Sequence, residues 1–169
     1  LRVLRQERSH SKWVLKPQDT AGGVGVVLNA SDSDIEAFEF KEGRSAILEE
    51  LIEGRGELES PTLYMIGNTP CGFLGDQLLV GPASHGNRWP AYHFSETLMQ
   101  SCFKAATAVQ QVWQLQCAWC LDFVVDSCGD PVIVDINLGR PIGNFGMRLW
   151  EGARETRLFL HTESYILPL

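Results

Sequence analysis

The stretch CLDFVVDSCGDPVIVDINLGRPIGNFG, Cys120 to Gly146, carries the strongest pattern in the chain. Two alternating runs, CLDFVVD and VIVDIN, flank a turn-rich SCGD, which predicts a β-hairpin. A loop of two or four residues centred on Cys128 and Gly129 sets Val124 opposite Ile133, Phe123 opposite Val134, and Asp122 opposite Asp135. Side chains alternate along a strand, so Asn137 shares the face of Asp135. Like charges directly opposite one another destabilise a sheet. Two aspartates with an amide beside them become tolerable when a hard cation sits among them, and magnesium favours carboxylates, a neutral oxygen donor and substrate phosphates. Arg140 follows the strand and offers a planar donor suited to phosphate or carboxylate. The competing reading is an acidic, solvated hairpin face, and a three-residue loop would break the register.

The totals bound what surrounds this hairpin. A chain of 169 residues makes one medium domain or two small ones, with 44% apolar and 21% charged residues, ordinary for a globular protein. A net charge of −7 argues against a nucleic-acid or anionic-membrane partner, because each needs a basic face. Five cysteines are scattered at 71, 102, 117, 120 and 128, no apolar run is long enough to span a membrane, and no signal peptide begins the chain. A reduced, cytoplasmic setting is the default expectation. Cys117 and Cys120 form a CxxC without a second pair to complete a zinc site. The chain starts at Leu1 and looks like a piece of something longer.

Upstream, KWVLKP (Lys12 to Pro17) and VGVVLN (Val24 to Asn29) read as strands joined by a glycine-rich tip. Lys16 beside Gly22, Gly23, Val24 and Gly25 fits a phosphate cradle, since glycines bring backbone N–H groups close to an anion and lysine adds a point charge. It is neither a Walker A loop nor a dinucleotide fingerprint, and a mobile tip with a solvated lysine is the alternative. Ser31 or Ser33 caps a helix expected to end at Gly43, and SAILEELI (Ser45 to Ile52) is read as a strand leading to a hinge at Glu53 to Glu57. Strands follow over Glu57 to Gly67 and Phe73 to Gly81. Residues Pro82 to Phe94 read as a loop, with two prolines and two histidines. The clearest helix is Ser95 to Gln116, with Leu98, Cys102, Ala105, Val109 and Val112 as its apolar stripe. The segment from about Asn144 reads as partly helical.

The order of these parts resembles the ATP-grasp superfamily over about Lys12 to Leu149. VLKP with AGGVGV looks like its lysine strand and phosphate-covering loop, ILEELIEGRGE like its hinge, and LDFVVDSCGDPVIVDINLGR like its metal-binding hairpin. The resemblance implies an α+β fold of two lobes with antiparallel sheets clasping ATP, a small lobe over 1–53 and a large one over 54–169. It implies that Lys16 contacts the phosphates and that Gly22, Gly23, Val24 and Gly25 close over them. Glu49, Glu50, Leu51 and Ile52 would line the adenine site, and Glu57 would hold the ribose, with Glu59 as a rival. Asp122, Asp135 and Asn137 would hold Mg2+, and Arg140 would steady the transferred phosphoryl group.

Asp135 stands where the family more often has glutamate, and the further N-terminal domain usual in the family is missing from this stretch. The implied activity is ATP-dependent ligation of a small-molecule or peptide carboxylate to an amine through an acyl phosphate. GELESPTLYM and GDQLLVGPASHGNRWP look most like peptide-forming or amino-acid ligases. A missing domain or partner chain would complete the acceptor site. An ATP-grasp phosphotransferase and a non-catalytic nucleotide-binding fragment are the alternatives.

Overall fold

The computed structural model describes residues 12–18, 20–38, 45–54, 60–66, 69–89, 95–139, 157–160 and 165–168. Arg140, Glu57 and Glu59 lie outside these residues. The chain forms two compact units, one of Leu1–Ile52 with Val80–Ser84 and one of Glu53–Leu79 with His85–Leu169.

In the first unit, β1 (Trp13–Pro17) lies between β2 (Val27–Leu28) and β3 (Ala46–Glu50), all antiparallel. Trp13, Val14 and Leu15 are buried, which fits the central place of their strand. The expected second strand is thus reduced to two residues. Helix α1 (Asp32–Ala37) is capped by Ser31, whose hydroxyl accepts the Asp34 N–H while the Asp34 carboxylate accepts the Ser31 N–H at 2.8 Å. It stops at Ala37, short of the expected Gly43, because Phe38 turns extended.

The second unit is a seven-stranded sheet in the order β10-β9-β6-β5-β4-β7-β8. Its strands are β4 (Pro61–Ile66), β5 (Thr69–Val80), β6 (Ala83–Trp89), β7 (Ala118–Val125), β8 (Pro131–Gly139), β9 (Arg157–Leu160) and β10 (Tyr165–Pro168). Helix α2 (Glu96–Trp113) carries Ser95 as its N-cap. Two expectations change. Residues 83–89, read as loop, form β6, and residues 157–160, read as part of a helical segment, form β9. ASHGNRW is a poor strand former by composition, so pairing within the sheet decides its conformation. Among its polar residues, Arg88 bonds the buried Asp76 of β5 at 2.6 Å.

Alternation sorts the two faces of this sheet. Leu63 and Met65 of β4 and Trp119, Leu121 and Phe123 of β7 pack with Cys102 and Ala106 of α2. Burial of each leucine, methionine or phenylalanine among them contributes roughly 1.5–3 kcal/mol. The residues between them, Thr62, Tyr64, Cys120 and Asp122, therefore point to the opposite face. Leu98, Ala105 and Val109 join the core as expected, but Val112 is 76% exposed and Ala106 takes the buried place. The last turn of α2 is exposed, which removes Val112 from the stripe. No helix among the described residues is long and apolar enough to cross a membrane.

Candidate functional site

The β7–β8 hairpin places Asp122 directly opposite Asp135 and Cys120 opposite Asn137. The route to this pairing differs from the sequence expectation. Asp126 N–H donates to the Asp130 carbonyl at 2.9 Å, which leaves the three-residue loop Ser127 to Gly129. Gly129 has φ of +94°, as the last residue of such a loop requires. The Asp126 carboxylate steadies the loop by accepting the N–H groups of Cys128 and Asp130, each at 2.9 Å.

This loop shifts the register by one, so Phe123 pairs with Ile133 and Val124 with Val132. A second irregularity between Asp122 and Phe123 shifts it back, with Val134 as the additional residue. The bulge has a packing cause. It turns both Ile133 and Ile136 towards the α2 core while leaving Asp135 on the face of Asp122. The Asp pair was expected from an unbroken ladder; it arises from two offsets that cancel.

Asp122 is partly buried and surrounded by donors. The Thr62 hydroxyl donates to its Oδ1 at 2.8 Å, and Asn137 Nδ2 donates to its Oδ2 at 2.9 Å. Gln77 bonds the same carboxylate. Burial pushes the Asp122 carboxyl up to about 6, the Thr62 bond opposes that rise, and the Asp135 charge adds to it. Asp135 is exposed, and its Oδ1 accepts the Ile136 N–H at 2.8 Å. Two facing carboxylates, one of which resists ionisation beside the other, with an amide alongside, fit a small hard cation. Cys120 is buried and burial pushes its thiol far up, whereas Cys117 is exposed, so these two do not form a paired thiol site.

In the first unit, Lys16 and Glu49 stand diagonally across β1 and β3 and form an ion pair of 2.5 Å. Leu51 N–H donates to the Lys12 carbonyl at 2.8 Å, so this donor is engaged in the ladder. The glycine-rich segment is a sequence of tight turns. Val24 N–H meets the Ala21 carbonyl at 3.3 Å, Val26 N–H meets that of Gly23 at 3.2 Å, and the Thr20 hydroxyl donates to the Val24 carbonyl at 2.7 Å. Gly22, Gly23 and Gly25 all have positive φ. Ser84 N–H donates to the Gly22 carbonyl at 3.1 Å, so the tip between β5 and β6 supports the loop.

A Cβ on Gly23 would collide with the Pro82 carbonyl, whereas one on Gly22 would meet nothing within 4 Å. Gly22→Ala is therefore expected to cost about 1–2 kcal/mol, the left-handed penalty alone. Gly23→Ala should cost more than that and move the tip, which paired thermal melts of the two variants will show.

The structure thus brings Lys16 to Glu49 and the Gly22–Gly25 loop to Val80–Ser84 in one unit, and Asp122, Asp135 and Asn137 together in the other. Sequence reasoning missed Thr62 and Gln77. Thr62 was visible as the polar member of an apolar PTLYMI run, but its partner depends on the pairing of β4 with β7.

No family model matches the chain, and no curated protein does. Solved structures do. N5-carboxyaminoimidazole ribonucleotide synthetase from Thermus thermophilus superposes with a TM-score of 0.59 at 18% identity, covering 80% of this chain and 36% of that one. Biotin carboxylase from Campylobacter jejuni, solved as a β-γ-ATP complex, gives 0.63 at 16% identity, covering 85% and 34%. Carboxyaminoimidazole ribonucleotide synthase from Aspergillus clavatus, solved with ATP, gives 0.62 at 15%, covering 80% and 36%. The chain spans about a third of the length of these enzymes. Its fold is the α+β fold of the ATP-grasp enzymes.

Proposed function

We propose that this ATP-grasp chain supplies the magnesium–ATP site of a ligase that joins a carboxylate to an amine. The observation that carries the reading is the pairing of Asp122 with Asp135, with Asn137 beside them, in a fold whose solved examples include ATP and ADP complexes. The carboxylates and the Asn137 amide would hold Mg2+, which supplies neutralisation of phosphate charge when bound. Lys16 would exchange its partner Glu49 for phosphate oxygens, and the turns at Gly22 to Gly25 would present backbone N–H groups to them. Glu49 to Ile52 would border the adenine, Glu57 would hold the ribose, and Arg140 would steady the transferred group. In the reaction, a carboxylate oxygen attacks the γ-phosphorus and ADP departs. The amine nitrogen then attacks the acyl carbon, phosphate leaves, and the nitrogen loses a proton. The chain's contribution is positioning and charge, with no covalent step on the protein.

Lys16→Ala is expected to weaken ATP binding by about 10–100-fold, the worth of a charge-assisted bond. Its melting temperature without nucleotide should change little, because the Lys16–Glu49 pair is half-exposed and such pairs contribute ~0–1 kcal/mol. Calorimetric titration with ATP beside a thermal melt separates these effects, and equal losses in both would make Lys16 structural.

The reaction class is tested by ADP release over a panel of amino acids, with hydroxylamine as the amine. Hydroxamate formed with stoichiometric ADP and phosphate supports ligation. A phosphorylated acceptor that persists in the presence of hydroxylamine contradicts it and points to phosphoryl transfer.

A further inference from the structure

Thr62 of β4, Asp122 of β7 and Asp135 of β8 stand directly opposite one another across three adjacent strands. The acid thus has a second acid on one side and a hydroxyl on the other. Thr62 is fully buried, in a strand whose neighbours Leu63, Tyr64 and Met65 are also buried. A valine has nearly the same shape and would avoid the cost of taking a hydroxyl out of water. The hydroxyl is compensated because it donates to Asp122 Oδ1 at 2.8 Å. The other oxygen, Oδ2, lies on the side of Asn137, which reaches it at 2.9 Å.

We propose that Thr62 is the positioning residue of the cation-binding carboxylate, tying down Asp122 Oδ1 so that Oδ2 is the oxygen turned towards Asn137 and the ion. The assignment rests on the magnesium–ATP reading above and adds to it a residue outside the ligand set. Thr62 suits the task because a β-branched side chain is stiff about χ1, and its hydroxyl, which Tyr64 of the same face also meets, places its proton on Asp122 Oδ1. Gln77, bonding the same carboxylate, adds a further restraint on it. Partners of this kind orient a ligand and raise metal affinity without touching the ion.

The test uses the whole chain with Mn2+ as a spectroscopic stand-in for Mg2+. Binding is titrated by electron paramagnetic resonance in the presence of ATP, and each variant is also melted without metal. Thr62→Val should bind Mn2+ about tenfold more weakly than the wild type, while Thr62→Ser, which keeps the donor, stays within about threefold. Should Thr62→Val show no cooperative melt, Thr62→Ala carries the same expectation. Wild-type affinity in the variant lacking the hydroxyl overturns the assignment. An equal loss in Thr62→Ser overturns it too, because packing would then be the cause. Absence of ATP-dependent Mn2+ binding in the wild type overturns the magnesium–ATP reading itself, an outcome distinct from failure at Thr62 alone.

Discussion

Asp135→Ala is expected to remove magnesium-dependent ATP binding and any turnover while leaving the metal-free chain folded. Outer-shell partners of a metal typically cost 10–100-fold when removed, so loss of a ligating carboxylate should exceed about 100-fold. The stability side is equally specific. Asp135 is exposed on β8, an edge strand of the sheet, and makes no part of the apolar core around Trp119. Surface changes of this kind usually fall within about 0.5 kcal/mol. A small gain is also expected, since the Asp135 charge is one of the influences that hold the Asp122 carboxyl up. Calorimetry with Mg2+ and ATP, set beside a melt of the apo variant, reads both. Wild-type turnover in Asp135→Ala would remove the hairpin from the site.

Asp122→Asn should separate function from stability, with opposite signs. The Asp122 carboxyl is held up at about 6 in the folded chain against 3.8 when free. Below pH ~4 the group is protonated in both folded and unfolded chains and contributes nothing. As pH rises from ~4 through ~6, the unfolded chain ionises first, and the folded chain loses stability relative to it. Above that window the penalty reaches up to about 3 kcal/mol, at 1.36 kcal/mol per unit. The asparagine variant carries no such penalty. Without metal it should melt higher than the wild type at pH 7–8 and equal it near pH 4, yet lose magnesium binding. A melt series across this range checks it. A variant that melts lower at neutral pH would mean that the ionised carboxylate is structural.

This trade also explains how much of the site was legible from the sequence. The acids, the amide and the lysine stand out because nothing in a simple sheet rewards them. Asp122 opposite Asp135 was readable as a pair, but the three-residue loop and the bulge at Val134 were not. The spacing of Ile133 and Ile136, three apart in a strand of period two, was the available sign of that bulge. Thr62 and Gln77 escaped because strand pairing over 60 residues is set by the whole sheet. The same cause turned residues 83–89 from an expected loop into β6. Local signals served best where the physics is local, as at the start of α1, where Ser31 is the one of the two candidate caps that the helix uses.

The most direct measurement is the melting temperature of the chain with saturating ATP, with and without Mg2+, in the wild type and in Asp135→Ala. At ligand 100-fold above its dissociation constant, binding stabilises by ~2.7 kcal/mol. For a chain of this size that is a rise of roughly 5–10 °C. The site described here predicts that rise with magnesium, a smaller one without it, and loss of the difference in Asp135→Ala. No shift in the wild type at millimolar Mg2+ and ATP, or the same shift with and without the metal, would contradict it.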